Sequence, residues 1–172
     1  MMKFALINQV CDAFVCELER FVDDRGFFEE LYSLKGIPFE CQQINCSRSK
    51  SNVIRGIHVT PFAKLVHCVM GKIFDVVVDL REDSKTYLRW YGVELTESNK
   101  LSLYIPPYCG HGFMSLEDDT FVIYAQSGVY NPKVETSIYW QDPTLAVMWP
   151  SVTPIISKKD MLAPMLKESV YA

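Results

Sequence analysis

The stretch KLVHCVMGKIFDVVVDLRE, residues 64–82, holds the pattern on which the fold turns. Residues 65–70 are an apolar run, Gly71 and Lys72 have the composition of a two-residue turn, and residues 73–80 are rich in β-branched side chains. Together they read as the two strands of a hairpin. Side chains alternate across a strand, so Phe74, Val76, Val78 and Leu80 share one face while Ile73, Asp75, Val77 and Asp79 share the other. Two acids among valines imply that the second face meets water or polar partners.

The pattern continues outward. Residues 90–95 and 101–105 read as strands about a polar turn at Glu97, Ser98 and Asn99, and Pro106 and Pro107 end the second because proline cannot donate to a ladder. Residues 113–116 and 120–126 flank the acidic turn Glu117, Asp118 and Asp119. Asn131 and Pro132 mark another turn, and 137–140 reads as a short strand. Strands recurring about every 8–12 residues indicate an antiparallel sandwich or barrel. Helical signals gather near the end. Asp142 and Pro143 suit the cap and first position of a single turn, and Ser157 with Asp160 forms a weak capping box over 157–162. With no repeat and no linker, the expectation is one all-β domain over residues 1–172 with short terminal helical pieces.

A chain of 172 residues with 49% apolar and 22% charged side chains buries a real core. Its net charge of −4 argues against nucleic acid as a partner, while a few local cations would still hold a small anionic ligand. No run approaches the ~18 apolar residues that span a bilayer, so no membrane partner is expected. The opening MMKFALINQV lacks the long apolar core of a secretory signal. The six cysteines form no C-x-x-C pair, and several sit in apolar runs, as expected of a reduced, cytoplasmic protein. Neither a glycine-rich phosphate loop nor a G-x-S-x-G elbow occurs. The histidines are His58, His67 and His111, without an H-x-H pair, so neither a metal nor another cofactor is expected.

Four constellations remain, each with two readings. Arg55 and His58, followed by Lys64, are either surface polar groups or a base beside cations that hold an anionic substrate. His111, in the rigid turn PPYCGHGF (106–113), either bonds backbone at a tight corner or stands at the mouth of the sandwich. Tyr124 is a core tyrosine with its hydroxyl satisfied, or a phenol aimed into a cavity. Tyr130 packs at a rim or offers a platform to a planar base. Spacing alone does not choose between them.

In order, the segments DDRGFFEE (23–30), QQINCS (42–47), RGIH (55–58), residues 64–82, RWYGVEL (89–95), IPPYCGHGF (105–113), VIYAQSGVYNP (122–132), DPTLAVMWP (142–150) and SKKD (157–160) resemble the dTDP-4-dehydrorhamnose 3,5-epimerase family. The ordered set is far more specific than any member of it. The resemblance implies a double-stranded β-helix, the cupin-like jelly roll, and a homodimer built by strand exchange that the amino-terminal segment would supply. It implies an isomerase that inverts C3, C5 or both in a dTDP- or GDP-linked 4-keto sugar, a hexose or heptose, for surface polysaccharide. It assigns His58 as base, Asp160 as the carboxylate orienting it, Lys64 as the cation at the enolate oxygen and Tyr124, not Tyr130, as acid. Tyr130 matches the residue that stacks on the nucleotide base. Arg25, Glu30, Gln43, Asn45 and Arg55 match substrate-binding positions, and His111 the cavity wall.

One departure stands out: Lys64 follows His58 by only six residues, a shorter connection than the family's. That loop, residues 59–63, is expected to border the sugar and to leave room for a larger one. Two rivals are a 3,4-ketoisomerase and a non-catalytic sugar-nucleotide-binding protein. A ketoisomerase shuttles its proton on one face, against which Tyr124 opposite His58 argues. The set His58, Lys64, Tyr124 and Asp160 argues against a mere binder.

Overall fold

The computed structural model describes residues 3–169, and strands dominate it. In chain order they are β1 (Lys3–Leu6), β2 (Phe14–Glu17), β3 (Arg20–Asp23), β4 (Gly26–Glu29), β5 (Gln43–Ser49), β6 (Val53–Val59), β7 (Lys64–Met70), β8 (Lys72–Val78), β9 (Trp90–Thr96), β10 (Leu101–Ile105), β11 (Gly110–Ser115) and β12 (Thr120–Gln126). Two short strands, β13 (Thr136–Ser137) and β14 (Ile155–Ile156), a single-turn helix α1 (Lys158–Met161) and a 3-10 turn at Leu166–Glu168 complete the order.

One sheet runs β1-β2-β10-β7-β12-β5 and the other β13-β6-β11-β8-β9, with β14 lying parallel to β6. The two pack face to face as the jelly roll that the resemblance implied. Val66, Cys68, Leu103, Ile105 and Val122 from the first sheet meet Ile73, Val77, Leu95 and Phe113 from the second in one buried cluster. Among the described residues β3 and β4 pair only with each other, as a separate two-stranded hairpin.

The strands of residues 64–82 form close to where the sequence put them, but they are not a hairpin. β7 pairs with β10 and β12, while β8 pairs with β11 and β9. Gly71, at φ +76°, is where the chain crosses from one sheet to the other. A Cβ there would lie 2.6 Å from Thr120 Oγ1, so the corner needs glycine for space as well as for dihedral. β8 consequently buries both faces. Ile73 and Val77 face the intersheet cluster, and Val76, Val78 and Leu80 pack on Ile138, Trp140, Leu145 and Trp149 from the carboxyl segment.

Asp75 of β8 and Asp79 just after it find polar partners instead of water. Asp75 accepts from His111 Nε2 at 2.8 Å, and Asp79 accepts from Arg81, Ser84 and Thr86. Nearer the end, only Ser137 of the expected 137–140 strand lies in a ladder, with Thr136 before it in β13. Asp142 caps a turn, accepting from the backbone N–H of Thr144 and Leu145, which does not extend into a helix. Ser157 does cap α1, its hydroxyl accepting from Asp160 N at 3.1 Å. Among the described residues no helix is long and apolar enough to cross a membrane.

Candidate active site

Arg55 and His58 are three apart on β6, so a regular strand would send them to opposite faces. They share a cavity because the ladder is irregular between them. β11 shifts register against β6 between His111 and Phe113, and Gly56 sits at φ +129°. A Cβ on Gly56 would lie 2.5 Å from Gly112 Cα. The glycines of RGIH and GHGF thus let two backbones touch at a bulge, which re-aims the side chains beside it.

The cavity, about 530 Å³, opens between the sheets. Gln43, Asn45, Ser47, Lys64, Tyr124 and Gln126 line it from the first sheet, and Arg55, His58, His111 and Phe113 from the second. Asp160 and Lys159 of α1 close one side, and Tyr130 and Glu135 reach in from the loop after β12. The register brings Tyr124 and Lys64 to one wall, with Gln126 opposite Lys64 and Tyr124 opposite Asn45.

His58 Nε2 donates to Asp160 Oδ1 at 2.8 Å, which leaves Nδ1 as the basic nitrogen. Burial pushes the Asp160 carboxyl up, but hydrogen bonds from His58, Ser157 and the Gly56 backbone outweigh it and hold the group below its usual range. Asp160 is therefore ionised at neutral pH. Burial drops the Lys64 ammonium from 10.5 to about 8, with Glu135 and Asp75 pulling it back upward. Burial raises the Tyr124 phenol, helped by Glu135 and opposed by Arg55, so it keeps its proton. His111 is lowered by burial against the opposing pull of Asp75.

Arg25 and Glu30 are not in this cavity. Arg25 is exposed at the tip of the β3–β4 hairpin, ion-paired to Asp23 at 2.6 Å, and Glu30 is exposed just past β4. The connection over residues 59–63 does not line the cavity either, contrary to expectation. It is tied instead to Tyr108 and Ser127, with Thr60 and Ala63 buried. Sequence reasoning missed Ser47, Gln126, Glu135 and Lys159. Period-two alternation from Gln43 and Asn45, or from Tyr124, would have found the first two. Nothing marked Glu135, whose carboxylate accepts from Lys159 at 2.6 Å across the cavity mouth.

A jelly roll whose cavity gathers an imidazole–carboxylate pair, a buried ammonium and a protonated phenol falls in the class of isomerases that move protons at carbon. The model of the dTDP-4-dehydrorhamnose 3,5-epimerase family matches residues 8–168, and the chain belongs to that family. It is 37% identical to the dTDP-4-dehydrorhamnose 3,5-epimerase of Salmonella typhimurium, over 98% of both chains. It is 38% identical to a dTDP-4-dehydrorhamnose 3-epimerase of Streptomyces niveus, over 88% of this chain and 78% of that one. Its fold superposes at a TM-score of 0.92 on the crystal structure of the Bacillus anthracis 3,5-epimerase with TDP and pyrophosphate bound, at 37% identity over 96% of this chain and all of that one.

Proposed function

We propose that the chain epimerises a nucleotide-linked 4-keto sugar at C3, C5 or both, for surface polysaccharide synthesis. One observation carries the reading: His58, bonded to Asp160, and Tyr124 stand on opposite sheets and line the same cavity. A carbon between them can lose a proton to one face and regain one from the other. His58 Nδ1 takes the proton α to the carbonyl, and the C–H electrons move into the enolate. In this reading the Lys64 ammonium, which lines the same cavity, stabilises the enolate oxygen. Tyr124 then protonates the carbon on the far face, leaving tyrosinate and imidazolium to be reset by exchange with solvent. Asp160 stabilises the imidazolium, as the carboxylate of a hydrolase triad does.

Gln43, Asn45, Arg55, His111 and Tyr130 bind the substrate in this reading, with Tyr130 under the base. The relatives' names carry dTDP, which makes it the nucleotide to test first and GDP the second. Unpaired thiols on all six cysteines suit a reducing compartment, and we take the cytoplasm as its place of action. A homodimer is part of the proposal. Phe21, Val22, Phe27 and Phe28 of the β3–β4 hairpin are all more than half exposed, an apolar arm that a second copy would cover.

Turnover in D2O tests the chemistry. A dTDP-4-keto-6-deoxyhexose should gain deuterium at C3, C5 or both, read by NMR. His58→Ala should lower the exchange rate by about 10³-fold, the usual worth of a general base. Tyr124→Phe should still exchange while losing inversion. Wild-type protein that incorporates no deuterium from either nucleotide's sugar sinks the proposal.

A further inference from the structure

The short connection between β6 and β7 is built against the loop that carries Tyr130. Ala63 and Ser127 bond twice: Ser127 N donates to Ala63 O at 3.0 Å, and Ala63 N donates to Ser127 Oγ at 2.9 Å. One residue on, the Phe62 ring lies flat against Gly128. A methyl group at Gly128 would stand 2.2 Å from both Cδ1 and Cε1 of that ring. Gly128 has no left-handed φ, so it is the ring, not the backbone, that requires glycine there.

Tyr130 is 51% exposed and Val129 61%, so side-chain packing does little to fix the platform. Its backbone must be held instead. Tyr130 N donates to Gln43 Oε1 at 2.8 Å, and Gln126 Nε2 donates to Gly128 O at 2.7 Å. Phe62 adds an apolar contact to these polar ones. The same link is anchored at its other end, where Tyr108 N donates to Thr60 O at 2.8 Å. A connection of four residues, 60–63, therefore joins the strand of His58 to the strand of Lys64 and braces the loop of Tyr130.

We propose that Phe62 is a positioning residue, which by seating on Gly128 fixes the Tyr130 platform relative to His58 and Lys64 and so sets affinity for the nucleoside diphosphate. The inference rests on the reading of Tyr130 as the base platform. It gives the shortened loop a role as a brace, since it is not a cavity wall. Phe62 is not among the residues that line the cavity, so its loss should weaken binding while sparing the chemical step.

Calorimetric titration of the full chain with dTDP, and separately with GDP, tests this without turnover. Phe62→Ala should weaken the better-bound nucleotide by about tenfold, within the range that base stacking on an aromatic side chain supplies. KM should rise in parallel, kcat should stay within about twofold, and Phe62→Leu should recover most of the loss. A double-mutant cycle supplies the readout that general loosening would not produce. In a Tyr130→Ala background, Phe62→Ala should cost no further affinity. Unchanged affinity in Phe62→Ala overturns the proposal. So does an additive loss in the double variant, or a fall in kcat without a change in KM. Failure of deuterium exchange in the wild type would strike the proposed reaction and leave this binding cycle to be read independently.

Discussion

Lys64 shows how a single residue binds function to instability. A lysine 6% exposed gives up most of its hydration, and burial, only partly offset by Glu135 and Asp75, brings its proton affinity down to about 8. The proposed chemistry needs the ammonium, so kcat should fall as pH rises through about 8. Stability moves the other way. Between about 8 and 10.5 the unfolded chain keeps a proton that the folded chain has released, so the fold gains stability with rising pH across that window. Below 8 both states are protonated and the full burden of the buried charge is felt. Lys64→Met keeps the unbranched shape, and at pH 7 it should raise stability by about 1–3 kcal/mol while abolishing most activity. The gain over wild type should shrink toward pH 10. Denaturant melts of both proteins at pH 7 and 9.5 decide it, and a destabilised Lys64→Met would refute the desolvation account. Neither the burial nor the depressed proton affinity is visible in the letters KLVHC, since both come from the sheet that closes over the strand.

Among the elements, α1 is the smallest and the most consequential. Four residues do not make a stable helix on their own, because nucleation is unfavourable. Here the Ser157 hydroxyl accepts from Asp160 N, and the Asp160 carboxylate in turn accepts from His58. The turn is thus held from both ends of one residue. Ser157→Ala should cost about 1 kcal/mol of stability, the usual worth of a cap, and should reduce kcat more than it changes KM. A thermal melt and steady-state kinetics measure the two, and an unchanged kcat would show that Asp160 is placed without its cap. This element was legible, since Ser157 and Asp160 have capping spacing. The strands were legible too, from period-two alternation. Their partners were not. Gly71 and Lys72 look like a hairpin turn, yet the corner separates two sheets, because turn composition reports local dihedrals and not which neighbour a strand will find. The sharing of one cavity by Arg55 and His58 was equally hidden, because a bulge breaks the parity that sequence reading assumes.

On the scale of the whole molecule, two residues assigned to the substrate by resemblance remain unexplained by one copy of the chain. Arg25 and Glu30 sit on or beside the β3–β4 hairpin, outside the cavity that holds the other assigned residues. Among the described residues that hairpin pairs with no other strand, and it exposes Phe21, Val22, Phe27 and Phe28. A second copy accounts for both facts if each hairpin crosses to the other's cavity, so that the apolar arm is covered and Arg25 meets a substrate phosphate. Mixing two disabled variants distinguishes that arrangement from any in which the hairpin serves its own chain. Arg25→Ala retains His58, and His58→Ala retains Arg25. In a crossed dimer, a mixed pair unites the intact cavity of the first with the intact hairpin of the second. Random reassortment makes half of the dimers mixed, each with one working site of two, so mixing should restore about a quarter of wild-type activity. If each hairpin served its own cavity, every mixed dimer would hold two damaged sites and mixing would restore nothing. Native mass spectrometry on the same sample, with one variant isotopically heavy, verifies that mixed dimers formed. Mixed dimers without recovered activity would remove Arg25 from the partner's site.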